Sequence, residues 1–102
     1  MPGPVPKRLM IFAADKISKV HALRVAIQMA GRRGERIERR LIRPRRLAHF
    51  RHCLGMLEER LAGSPLVGAL RDQLTGLANE LEAHTARFAI VEANSHAHRP
   101  VA

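Results

Sequence analysis

Between residues 67 and 91, apolar side chains recur at alternating steps of three and four: Val67, Leu70, Leu74, Leu77 and Leu81, then His84, Phe88 and Val91. That is the period of a helix with one seam packed against other helices. Ser64 and Pro65 mark its start, because a serine hydroxyl caps open amides and proline suits the first helical position. The pattern predicts a helix over 65–95, weakened at Gly68 and Gly76. His84 is the one polar rung, so its imidazole is expected to point into the core that the other rungs build.

A second stripe, Leu47, Phe50, Leu54, Leu57 and Leu61, predicts a helix over 45–62 that Gly63 ends. On that helix Cys53 projects about 70° from the stripe and His52 about 170°, so Cys53 is the one expected inside. Earlier, Ala13, Ile17, Val20, Leu23 and Ile27 form the apolar face of a helix over 7–30, with Gly31 as its stop. His21 lies about 40° from both Ile17 and Val25, at the edge of that face. Between these helices, Ile37, Leu41 and Ile42 predict a short helical piece at 35–43, since Pro44 pushes the residue before it out of helix. Prolines at 2, 4 and 6 exclude regular helix, so 1–6 reads as a disordered leader and 96–102 as a flexible tail. The expectation is an all-α antiparallel helical bundle, three long helices plus a short fourth, forming a single domain over 7–95. A chain of 102 residues suffices for one modest core.

Composition changes this picture at one place. The chain is 46% hydrophobic, with three Phe and neither Trp nor Tyr, so the core is aliphatic. Its formal charge of +9 is concentrated: Arg32, Arg33, Arg36, Arg39, Arg40, Arg43, Arg45 and Arg46 face only Glu35 and Glu38 within 32–46, leaving +6 of the +9 there. Such a segment can neutralise phosphates and bind nucleic acid or another polyanion without reading sequence. The plainer alternative is a solvated charged face. No aromatic residue is interleaved in 32–46, so the segment by itself does not indicate base stacking.

The single cysteine excludes an intrachain disulfide and fits a reducing compartment. No apolar run approaches the ~18 residues of a membrane span. Leu9 to Ala14 is shorter than the ~7–15 residues of a signal-peptide core. A cytoplasmic chain without membrane association is therefore expected. There is no Gly-rich phosphate loop, no nucleophile-elbow serine and no placed acidic pair, so no enzyme activity is expected.

His21, Cys53 and His84 fall one on each main helix, and Glu80 lies one turn before His84. Imidazole, thiolate and carboxylate are zinc-ligand types, and a bundle can collect ligands from facing helices. The alternative is that Cys53 packs as a small hydrophobe, His84 hydrogen-bonds a neighbour, His21 is solvated and Glu80 is a surface charge.

The stretch from Ile17 to Asn94 resembles the chemoreceptor zinc-binding domain, a bacterial four-helix module of chemoreceptors and some diguanylate cyclases. His21 matches its first-helix ligand, Cys53 with Leu54 and Gly55 its Cys and Leu-Gly element, and His84, 31 residues after Cys53, its last ligand. Glu80 stands where the family has the first His of a His-x-x-x-His pair, and Leu57 or Met56 where it has Trp. The family has one residue between Cys and Leu-Gly, a register that puts His52 in the ligand's place, so Cys53 and His52 both remain open. The resemblance implies a non-catalytic signal-transduction module in which Zn²⁺ on His21, Cys53, His84 and Glu80 shifts helix packing and is read by a second copy of the chain or a signalling partner. Separately, His21, Ala22, Leu23 and Arg24 resemble the His-x-Leu-Arg element of histidine phosphotransfer domains, with Val25 where those have Gly.

Overall fold

The computed structural model describes the backbone of residues 7–97, and side-chain surroundings as far as Phe88. Three helices make up nearly all of it: α1 at Lys7–Arg33, α2 at Pro44–Arg60 and α3 at Pro65–Ala97. The leader expected at 1–6 and the end of the expected tail, 98–102, lie outside the described residues.

α1 runs through Gly31 and stops one turn later. The residue that ends it is Gly34, whose φ of 68° is the left-handed conformation that glycine adopts without strain. There Glu35 N–H donates to Ala30 O (2.8 Å) and Gly34 N–H to Gly31 O (3.1 Å), the paired bonds of a Schellman cap. Position along the hydrophobic pattern does not distinguish Gly31 from Gly34; the closing hydrogen bonds do.

The short helix expected at 35–43 is only a 3₁₀ turn at Arg39–Ile42, closed by Leu41 N–H on Glu38 O at 3.0 Å. A full helix would stack Arg36, Arg39, Arg40 and Arg43 at spacings of three and four, where like charges repel. Instead the connection is extended and anchored by one buried side chain, Ile37. Pro44 then opens α2 at a first helical position, as its missing N–H permits. The α2–α3 turn follows the sequence expectation: Gly63 takes φ 82°, and Ser64 Oγ accepts Leu66 N–H at 3.3 Å.

Short connections make α2 antiparallel to both of its neighbours, so α1 and α3 run parallel. Their register is visible in pairs that climb together: Arg24 meets Gln73 and Glu80, and Gly31 meets Arg87. The core between the three helices is Ala13, Val20, Leu23 and Ile27 of α1, Phe50, Cys53 and Leu57 of α2, and Val67, Leu70 and Leu77 of α3. Cys53 is inside and His52 exposed, as the helical wheel requires. The 3/4 ladder holds on α3 as far as Phe88, with every rung buried or half-buried and His84 among the buried ones. Among the described residues, no helix is long and apolar enough to cross a membrane.

Candidate functional site

Of the four residues considered as zinc ligands, Cys53, Glu80 and His84 are engaged elsewhere. Cys53 is buried on α2, with its Sγ 3.6 Å from Nε2 of His49, one turn earlier on the same helix. His21 is exposed on α1. Among the described residues no three His, Cys, Asp or Glu side chains come together as a group that could hold a metal ion. The electrostatics also oppose a dication, because arginines adjoin both Glu80 and His84. The residues present therefore do not fit zinc in this arrangement.

Glu80 belongs to a cross-helix knot. Its Oε1 accepts from Arg24 Nε (3.0 Å), Arg24 Nη2 (2.8 Å) and Gln28 Nε2 (3.0 Å), while Arg24 Nη1 donates to Gln73 Oε1 at 2.9 Å. The Arg24 hydrogen bond, against the opposing effect of burial, holds the Glu80 carboxyl below the usual carboxylate range; Gln28 and the Arg24 and His21 charges assist. Its other oxygen, Oε2, is buried with no hydrogen-bond partner among the described residues. Gly76 makes the knot possible: a Cβ there would sit 2.5 Å from the guanidinium carbon of Arg24. The glycine that weakens α3 locally lets α1 lay an arginine flat across it. Partial exposure of both partners limits the ion pair itself to about 1 kcal/mol.

His84 ties the arginine-rich connection to α3. Its Nε2 accepts the backbone N–H of Ile37 at 3.2 Å, which satisfies the amide of the one buried residue in that connection. An accepting Nε2 means that the neutral ring carries its proton on Nδ1. Burial first, and then the charges of Arg87 and Arg36, push the His84 pKa below the ordinary histidine value. Because the unfolded chain takes up this proton more readily than the folded one, the stabilisation is complete above pH of about 6.5 and is lost as pH falls from there toward the depressed folded value. Thermal melts at stepped pH on wild type and His84→Leu should diverge below about pH 6.5, with only the wild type losing the His84 contribution. Parallel profiles would show that burial and the neighbouring arginines do not hold the His84 pKa below its ordinary value.

All eight arginines of 32–46 are exposed, and the fold places them at one end of the bundle. Arg32 and Arg33 close α1, where the negative end of the helix dipole favours them. Arg45 and Arg46 open α2, where it does not, and α2 has no acidic residue in its first turn. Arg40 pairs with Glu38 at 2.6 Å, Arg36 lies over the Phe88 ring and Arg46 over Phe50. Among the described residues, no ion pair or hydrogen bond engages the side chains of Arg32, Arg33, Arg39, Arg43 or Arg45. α3 adds Arg87, whose Nη1 donates to Gly31 O at 2.9 Å, and Phe88. Neither could be assigned to this end from the sequence, since they lie more than forty positions from the arginine run.

Comparison with protein-family models, with curated proteins and with solved structures returns no match for this chain, so its function must be argued from the site itself.

Proposed function

We propose that this chain binds nucleic acid through the arginine-rich end of its bundle. The observation that carries the reading is five exposed arginines without partners among the described residues, two on a connection anchored by Ile37 and His84 and three on the helix ends that flank it. Arg45 and Arg46, at the positive end of α2, work against helix stability, a placement better suited to an incoming anion than to the fold. Phosphate neutralisation by such side chains is sequence-independent and driven by counterion release. Titrating a labelled oligonucleotide at increasing salt should therefore give a log–log slope of about −4 to −6 for five to eight contacts with a single strand. Absence of binding at low salt, or binding indifferent to salt, would defeat the proposal.

The zinc-responsive regulatory reading has no support from the arrangement of His21, Cys53, Glu80 and His84 and stands on the family resemblance alone. Zinc content of protein purified without chelator is the measurement that bears on it.

A further inference from the structure

The arginine segment contains no aromatic residue, but α3 brings one to it. The Phe88 ring lies beside the connection, with the Arg36 guanidinium carbon 5.4 Å from its centroid and the His84 ring at 4.7 Å, tilted by 58°. Next to these groups is a cavity of about 230 Å³ between the Arg36–Ile42 connection and His84, Thr85 and Phe88 of α3. Its less accessible members, Ile37, Ile42, His84 and Phe88, are apolar or aromatic; Arg36, Arg39 and Thr85 are exposed. A phosphate chain has no use for an apolar cavity. A flat heterocycle joined to phosphate does, because its faces stack on rings and guanidinium planes while the phosphate meets the neighbouring cations.

We propose that this cavity receives an unpaired base of a single-stranded nucleic acid whose phosphates lie along Arg36 and Arg39. The inference rests on the nucleic-acid reading above and narrows its ligand, since bases in a duplex are already stacked and paired. The Thr85 hydroxyl supplies a donor and acceptor that suit any base edge, so weak sequence preference is expected. Heparin-like chains, polyphosphate and acidic protein surfaces offer charge but no base.

The test compares three probes at one moderate salt concentration: an oligothymidylate, an abasic oligomer of the same length, and a duplex of that length. Stacking of one base corresponds to a roughly five- to hundredfold preference for the oligothymidylate over the abasic strand. Phe88→Leu, which keeps apolar bulk without a ring face, should bring the oligothymidylate affinity down to the abasic level while the abasic affinity stays unchanged. Phe88→Tyr should retain the preference. Equal affinity of the wild type for base-bearing and abasic strands, or equal affinity for duplex and single strand, would overturn the base subsite and leave the wider nucleic-acid reading standing. Failure to bind any of the three probes would remove both. The wild-type comparison decides the matter even if a Phe88 variant does not fold.

Discussion

Replacing Arg33, Arg39, Arg43 and Arg45 together by alanine should weaken binding of a single-stranded oligonucleotide by about a thousandfold near 0.1 M salt. Each lost phosphate contact removes about 0.7 from the log–log salt slope, so four remove about 3. Referred to a salt concentration near 1 M, where the electrostatic contribution has largely vanished, that slope change amounts to about three decades of affinity at 0.1 M. The fold should be nearly indifferent. All four side chains are exposed and without hydrogen-bond or ion-pair partners among the described residues, and such surface changes usually fall within about 0.5 kcal/mol. Removing Arg45 from the first turn of α2 relieves an unfavourable dipole interaction, whereas removing Arg33 from the last turn of α1 loses a favourable one. Fluorescence anisotropy across a salt series, beside a thermal melt, separates the two effects. An unaltered slope in a folded variant would place the binding surface elsewhere.

Leu57→Ala should cost about 3 kcal/mol, within the range of about 2 to 5 for deleting a fully buried leucine side chain. Leu57 has no exposed surface, and α2 buries Phe50, Cys53 and Leu57 fully, with Leu47, Leu54 and Met56 partly buried beside them and Leu61 just beyond its end. Each of the fully buried side chains therefore carries a large share of what holds α2 against the α1–α3 pair. Against a typical stability of about 5–15 kcal/mol this is a major loss. Urea unfolding followed by far-UV circular dichroism measures it directly. A loss below about 1 kcal/mol would mean that α2 is not packed by this face, and the arrangement of arginines at its start would need to be redrawn.

The helices were legible because their information is local. Steps of three and four in Val67 to Phe88 and in Leu47 to Leu61 place the apolar stripes on the faces that the core uses. The same geometry puts Cys53 inside and His52 outside without knowledge of any neighbour. The Ser64–Pro65 start of α3 likewise depends on groups only a few residues apart. Legibility failed at Gly31 and at 35–43. In the first case the Schellman bonds close around Gly34, and a pattern of apolar positions does not contain those bonds. In the second, apolar Ile37, Leu41 and Ile42 suggest a helix, but repulsion along the arginine run and the bond from the Ile37 amide to His84 leave a single 3₁₀ turn.

For the site the division is sharper. The exposed arginine run is a property of consecutive residues and is already plain in the sequence, as are the single cysteine and the buried rung at His84. What those residues meet was not. Glu80 reads as a ligand candidate by spacing, yet it is held by Arg24 and Gln28 across 56 and 52 positions, through a gap that Gly76 leaves open. Phe88 reads as one more core rung, yet it stands beside Arg36. By itself the sequence determined that there are three amphipathic helices, which face of each is apolar, and where the positive charge accumulates, because helical periodicity and net charge depend only on residue order. Only the tertiary structure decided which side chains share a site, because helices with unchanged stripes can be rotated and shifted against one another by amounts that their own patterns do not encode.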